Sequence, residues 1–291
     1  MKKLHLLINP IAGHGLAPKI EGMIASSNLS KKYEITVMHT QYAGHAKVLA
    51  QQAVANGIDV VVAVGGDGTV NEVGSALVNT NTTLGIIPAG SGNGLANHIG
   101  MKNNPKLALG QLASGSFQKI DSLQINGRFA VNVSGFGFDG YVAWLFNNSG
   151  KRGLSNYTKI GMQEYFKYPI AQFKINHDGK TFDTEAHMIV IANASQFGNA
   201  AVISPLADIT DGQLEMIAVT RPGLFKIPGM FYRLFTGKLK DNKYLRTVHC
   251  TSFTAESNRP LHLHIDGEAI DPLSKIEVKL NKHSLQIIQP Q

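Results

Sequence analysis

Residues 60–73 read VVVAVGGDGTVNEV: five apolar residues, a glycine-rich break, then spacing that suits a helix. A run that is apolar at every position fits a strand of a parallel sheet covered on both faces, because one wet face would impose alternation. A strand that breaks into glycines and enters a helix is a shape that holds phosphate, since close backbone N–H groups and a helix start both favour an anion. Gly65, Gly66 and Gly68 are read as free to take positive φ. Thr69-Val-Asn-Glu72 fits a capping box, with Thr69 at the N-cap and Glu72 reaching back. A plainer account stays open, in which Glu72 only caps a helix and the glycines only turn the chain. No lysine follows the glycines, so this is not a Walker loop.

Outward from this stretch, residues 4–8, 35–39 and 84–87 are further short apolar runs, separated by segments of helical period such as 45–56, which Gly57 ends. Strand and helix in alternation predict a parallel sheet with right-handed crossovers. After about Asp121 strands follow one another through turns. Asn126-Gly127 sits between two alternating runs, and 173–182 looks like a second hairpin. Strands are expected at 186–192, 214–219, 248–255, 261–265, 276–280 and 285–288, with helical insertions near 140–168 and 224–236. The predicted architecture is a parallel three-layer α/β domain over residues 1–122, with 284–291 as candidates to complete it, and then a mostly antiparallel β-sandwich domain over 123–283.

The 291 residues, 43% hydrophobic and 16% charged, exclude disorder as the default and suffice for two cores. The apolar runs fall well short of the ~18 residues of a spanning helix, so neither a transmembrane segment nor a signal peptide is expected. The single Cys250 allows no internal disulfide, which is compatible with a reducing cytoplasm. A net charge of +7 favours an anionic partner without choosing among nucleic acid, phosphorylated cofactor and membrane surface.

Two familiar patterns do not hold. Asp178-Gly-Lys-Thr181 ends like a P-loop, but Lys174 stands where that motif needs glycine. Gly135-Phe-Gly-Phe-Asp-Gly140 matches the dinucleotide fingerprint, yet lies in the β-rich half with no acidic strand end about 20 residues on. The loops 8–15 and 86–95, by contrast, repeat the pattern of strand into glycine turn. Eight glycines fall between Gly65 and Gly94, and three such turns at carboxyl ends of parallel strands converge on the crevice where open α/β sheets bind ligands.

Asn9-Pro10 with Gly13 and Gly15, Gly65-Gly-Asp-Gly-Thr69 continuing to Glu72, Pro88-Ala-Gly-Ser-Gly-Asn93, Gly135-Phe-Gly-Phe-Asp139, Pro205 with Asp211-Gly212, and Asp266-Gly-Glu268 together resemble the diacylglycerol kinase and sphingosine kinase catalytic family, its soluble bacterial lipid kinases in particular. The resemblance covers nearly the whole chain, and the GGDGT element is shared with NAD kinases. It implies ATP held by Thr40, by Gly66, Asp67, Gly68, Thr69, Val70, Asn71 and Glu72, and by Ser91, with Asn9 orienting a phosphate. Thr40 also stands just past the second strand, where the α/β reading places ligand contacts. Asp67 is the carboxylate expected on the Mg²⁺ side, because Mg²⁺ on the β- and γ-phosphates takes hard oxygen ligands; an Asx-type turn is its plainer role.

For the acceptor, the resemblance implies Glu268 as general base and Asp266 as its positioning or metal-linked partner. From the residues alone, an Asp-Gly between strands is more often a plain hairpin. Leu261-His-Leu-His-Ile265 places leucines on one face and His262 with His264 on the other. The stretch 207–213 resembles the family's structural magnesium loop, implying Asp211 by side chain and Asp208 and Gln213 by carbonyl, and Lys151, Arg152 and Tyr157 belong to a further family-like stretch. Gly94 follows Asn93 where many bacterial diacylglycerol kinases have aspartate, a feature closer to the sphingosine kinase branch, so the lipid is left open.

Between Arg221 and Arg246 lie seven basic residues against one acidic, Asp241, with Phe225, Phe231, Tyr232 and Phe235 interleaved. Either this helix settles on anionic headgroups or it packs its aromatics inward. The expected protein is a cytoplasmic, peripherally membrane-associated ATP- and Mg²⁺-dependent lipid kinase of phospholipid metabolism, acting on a diacylglycerol-like or sphingoid lipid. No nucleic acid partner is expected, and a homodimer is left open. The alternatives are an NAD kinase-like enzyme and a catalytically silent nucleotide- or lipid-binding protein.

Overall fold

Strands β1 (Lys2–Ile8), β2 (Tyr33–His39), β3 (Val60–Gly65) and β4 (Thr83–Pro88) pair in parallel in the order β2-β1-β3-β4. Every residue of β3 and β4 is buried, which is why residues 60–64 and 84–87 read as apolar runs without alternation. The helices between and after them are α1 (Leu16–Ile24), α2 (Leu29–Lys32), α3 (His45–Ala55), α4 (Asp67–Leu77), α5 (Gly94–His98) and α6 (Pro105–Ser114). The computed structural model describes residues 1–14, 16–150, 153–239 and 242–291. The expectations placed on Gly15, Lys151, Arg152, Lys240 and Asp241 lie outside the described residues.

The chain divides into two units, Met1–Ser122 with Lys282–Gln291, and Leu123–Asn281. In the first, the returning end of the chain lies parallel beside β4, with Ile287 opposite Leu84. His283 N donates to Asp121 Oδ1 at 2.7 Å and the buried Ser122 and Ser284 hydroxyls meet at 2.8 Å, fixing that return.

The second unit is antiparallel. β5 (Ser116–Ile125) enters it, followed by β6 (Arg128–Ala130), β7 (Val133–Gly137), α7 (Phe138–Asn148), α8 (Leu154–Glu164), β8 (Ala171–His177), β9 (Lys180–Ala186), β10 (Met188–Ala192), β11 (Leu214–Val219), α9 (Ile227–Phe235), β12 (Leu245–Cys250), β13 (Ser252–Ile265) and β14 (Glu268–Gln289). The order is β12-β11-β10-β7-β13-β14. β13 changes partner along its length, from β8 at residues 253–257 to β7 at 263–264, and its register with β14 shifts between Glu256 and Leu261. Pro260, which has no N–H to donate, stands at that irregularity. The unit is sandwich-like, over a core that includes Phe136, Phe173, Ile189, Met216, Phe253 and Leu263.

Three hairpins turn on Asn126-Gly127, Asp178-Gly179 and Asp266-Gly267, each with both residues at positive φ, as two-residue type I′ turns require. The P-loop-like stretch 178–181 is therefore a hairpin end. Several strand expectations need correction. The expected run 186–192 is broken at His187, 248–255 is broken at Thr251, 261–265 is the end of β13, and 276–280 with 285–288 are parts of the single strand β14.

Candidate functional site

The carboxyl ends of β1, β3 and β4 are tied together by backbone. Asn9 N donates to Val64 O at 3.0 Å, Thr40 N to Ile8 O at 2.9 Å, and Ala89 N to Gly65 O at 2.8 Å. Asn9 Nδ2 reaches Thr69 Oγ1 at 3.3 Å. The structure thus gathers Asn9, Thr40, Gly66, Asp67, Gly68 and Thr69 at one end of the first sheet. Ser91 sits exposed in the turn after β4, whereas Val70 is buried and its N–H is spent on the Gly66 carbonyl.

The capping box is overturned. α4 begins at Asp67 with Gly66 as its N-cap, so Thr69 lies inside the helix, and Gly66 has no side chain to cap it. Glu72 instead reaches the start of α3, where Oε1 accepts from Gly44 N at 2.8 Å and Oε2 from Ala46 N at 3.1 Å. Gly44, the N-cap of α3, offers no acceptor of its own, so Glu72 supplies a cap from the neighbouring helix. Glu72→Ala is expected to cost about 1–2 kcal/mol of stability through these two lost acceptors. Urea unfolding measures it, and an unchanged midpoint would mean that the carboxylate does not brace α3.

The glycines also have a different reason from the expected one. None of Gly65, Gly66 and Gly68 takes positive φ. A Cβ on Gly65 would strike the Thr69 side chain, one on Gly66 would stand 3.1 Å from the Cα of Gly90, and one on Gly90 would collide with Gly66. Gly66 and Gly90 are therefore glycine so that two loops can pack backbone against backbone, and Gly65 so that the Thr69 side chain can lie against it. Gly68 alone of these faces open space, with nothing within 4 Å of a built Cβ. Asn93, at φ 55°, closes the second loop by accepting from Gly90 N and donating to Gly90 O.

Asp67 joins the two loops. Oδ2 accepts from Asn93 N at 2.9 Å and Oδ1 from Gly94 N at 2.7 Å, so this carboxylate caps α5 across the crevice from its own helix. It is the acidic residue of the first turn of α4, at the helix end that attracts anions.

In the second unit Asp266 is 7% exposed and Glu268 is exposed. Asp266 Oδ2 accepts from Val131 N at 2.9 Å and Oδ1 from Asn132 N at 3.0 Å, while its own N–H donates to Ser134 Oγ at 3.2 Å. Glu268 makes no side-chain hydrogen bond among the described residues. His264 is not on a wet face. It is buried, with Nε2 on Asp139 Oδ2 at 2.7 Å and Nδ1 accepting from Gly267 N at 3.1 Å. His262 lies beside Tyr141 and Trp144, with ring centroids 5.2 Å from each.

The fingerprint-like glycines are explained here too. A Cβ on Gly135 would meet Asp139 and stand 2.8 Å from His264 Nε2, and one on Gly140 would collide with the His262 carbonyl. Both are room for packing α7 on β13. Asp139, Tyr157 and Ser134 were given no role from the sequence, although Asp139 stands in the quoted motif, because its partner His264 lies 125 residues away.

In the loop 207–213, Asp208 Oδ1 accepts from Thr210 N and Oγ1, and Asp211 Oδ1 from Gln213 N at 2.8 Å. No group of three or more His, Cys, Asp or Glu able to hold a metal occurs among the described residues. On and beside α9, Phe225 is 95% exposed and Tyr232 62%, with Phe231 and Phe235 over a third exposed, so the aromatics are not packed inward. No helix among the described residues is long and apolar enough to cross a membrane.

Residues 3–125 match the diacylglycerol kinase catalytic domain, and residues 132–289 match the YegS C-terminal NAD kinase beta sandwich-like domain. A diacylglycerol kinase of Bacillus subtilis (strain 168) is 24% identical over 295 residues, covering 100% of this chain and 97% of the relative. A diacylglycerol kinase of Mycobacterium tuberculosis is 27% identical over 300 residues, covering 99% and 95%. The crystal structure of a diacylglycerol kinase from Bacillus anthracis str. Sterne superposes with a TM-score of 0.79 at 21% identity, over 99% of this chain and 97% of that one, which shows that the fold is shared.

Proposed function

The chain belongs to the diacylglycerol kinase catalytic domain family, and from that premise we propose that it is an ATP-dependent lipid kinase acting on an alcohol group of a diacylglycerol-like or sphingoid lipid. The observation that carries this reading is the start of α4: a helix N-terminus with no side-chain cap, set where two loops pack glycine on glycine and beside Asn9, whose side chain reaches Thr69. Such an end offers backbone N–H groups and positive potential to phosphates without a lysine. Gly68, open above it, leaves room for a phosphate to approach the backbone.

Magnesium, when bound with the nucleotide, would supply positive charge to its phosphates. Asp67 is the residue we assign to it. Glu268, carried by the second unit, takes the proton of the lipid hydroxyl as its oxygen bonds to the γ-phosphorus, the bond from that phosphorus to the bridging oxygen breaks, and ADP leaves. Asp266 holds the turn. The surface 221–239, with Lys226, Arg233 and Lys238, no Asp or Glu, and exposed Leu224, Phe225 and Tyr232, is the face we assign to an anionic membrane, where a cytoplasmic enzyme would meet its substrate.

The test is incubation with γ-labelled ATP and diacylglycerol, sphingoid bases, ceramide and NAD, the lipids presented in vesicles with and without anionic lipid. Label on a glycerolipid or sphingoid, in greater amount with anionic vesicles, is the expected result. Label on NAD alone would overturn the acceptor class, and tight ATP binding with no labelled product would make the chain a silent binder. Equal label in both kinds of vesicle would remove the membrane assignment.

A further inference from the structure

In a two-residue hairpin the amides of the turn residues have no ladder partner and ordinarily face water. The turn Asp266-Gly267 departs from that. The Asp266 N–H is held by Ser134 Oγ, the Gly267 N–H by His264 Nδ1, and the Asp266 carboxylate by the N–H groups of Val131 and Asn132. A turn anchored at four points, with its Asp266 side chain buried, is not a plain hairpin tip. It is a mount for the next residue in the chain, Glu268.

One of those anchors leads back into the protein. His264 Nδ1 accepts the Gly267 N–H, so the ring proton must sit on Nε2, which faces Asp139 Oδ2 at 2.7 Å; the other oxygen of Asp139 accepts from the Tyr157 hydroxyl at 2.7 Å. Burial and the Asp139 charge push the Tyr157 hydroxyl well above its ordinary value, so it remains a donor. Gly135 is the residue opposite His264 in the β7–β13 pair, and any side chain there would wedge into the Asp139–His264 contact.

Resting on the assignment of Glu268 as general base, we propose that Tyr157, Asp139 and His264 are positioning residues: a hydrogen-bonded chain that fixes the His264 tautomer and thereby the Gly267 amide and the placement of the Glu268 carboxylate. Asp139→Asn preserves shape but replaces the charged acceptor of the His264 Nε2–H with at most a neutral amide oxygen, which weakens the hold on the ring and on its tautomer. Misplacing a reacting group by about 1 Å costs on the order of 100-fold in rate, and that is the fall in kcat expected for Asp139→Asn. Tyr157→Phe, which removes one donor and leaves the tautomer, is expected to lose about tenfold, with KM for ATP within about twofold in both variants.

The experiment pairs these variants with Glu268→Gln and with ¹⁵N-histidine NMR of the wild-type protein, His264 being identified by the signals lost in His264→Gln. A neutral ring with Nδ1 unprotonated at pH 7, and no further loss when Asp139→Asn is added to Glu268→Gln, support the proposal, because loss through general destabilisation would add. A wild-type ring protonated at Nδ1 overturns it, and this readout does not depend on any variant being active. Wild-type kcat in both Asp139→Asn and Tyr157→Phe also overturns it. If Glu268→Gln itself retains full turnover, the base assignment has failed; if Glu268→Gln is inactive while Asp139→Asn matches wild type, only the positioning chain has failed.

Discussion

Glu268→Gln is expected to lower kcat by about 100- to 10,000-fold, the range that a positioned general base contributes. Glutamine has the shape of glutamate but cannot take a proton from an attacking hydroxyl at neutral pH. The choice of Glu268 over Asp266 follows from what each carboxylate does in the structure. Asp266 spends both oxygens on backbone amides and is 7% exposed, whereas Glu268 is exposed and makes no side-chain hydrogen bond among the described residues. Because Glu268 anchors nothing, the substitution should change stability by no more than about 0.5 kcal/mol. Steady-state kinetics with the lipid identified in the labelling panel, alongside a thermal melt, measure both quantities. A kcat within twofold of wild type would remove Glu268 from the chemistry.

Gly90→Ala is expected to destabilise the protein by about 1–3 kcal/mol, the usual cost of forcing a methyl group into packed space. The added carbon would collide with the Cα of Gly66 and stand 2.9 Å from Asn93 Oδ1, both fixed parts of the two loops. Spreading those loops pulls the start of α4 away from the turn after β4, and nucleotide affinity should fall about tenfold with it, roughly 1.4 kcal/mol. Gly68→Ala separates the two effects. It lies within α4 with open space around it, so alanine should leave stability unchanged or raise it by up to about 1 kcal/mol, and any lost affinity then reports the methyl group meeting the ligand. Denaturant unfolding and ATP titration of both variants provide the comparison. Wild-type stability in Gly90→Ala would mean that the loops yield freely and that their packing does not set the site.

What the sequence disclosed, and what it hid, depends on the range of the interactions. β3 and β4 were legible because burial on both faces forces apolar residues at every position, and the three Asn-Gly or Asp-Gly turns because positive φ at two successive residues restricts the residue types locally. β13 and β14 were read as fragments because Arg259-Pro260 and the polar run Asn281-Lys-His-Ser284 interrupt their apolar rhythm, although the strands run through. Glu72 looked like a cap for its own helix since the pattern that marks a capping box is local, while the amides it caps belong to α3, 26 and 28 residues away. The glycines of the first loops showed that the backbone matters there, but not that close approach rather than left-handed φ is the reason. At the candidate site, Asp67, Asp266 and Glu268 stood out as carboxylates at turns. The link from Asp139 to His264 could not stand out, because neither residue is unusual until the fold brings them together.

The strand that closes the first sheet has a consequence for synthesis. Residues 285–289 cover the outer edge of β4, yet the ribosome makes them only after the whole of Leu123–Asn281. At about 5–20 residues per second, the roughly 200 residues that separate β4 from its partner take on the order of 10–40 s. For that interval a strand whose residues are all buried in the finished fold has an open edge, the kind that invites pairing with another chain. The inserted unit is thus complete in the nascent chain before the unit that began it, and the last ten residues end the period in which the newborn protein is most prone to aggregate.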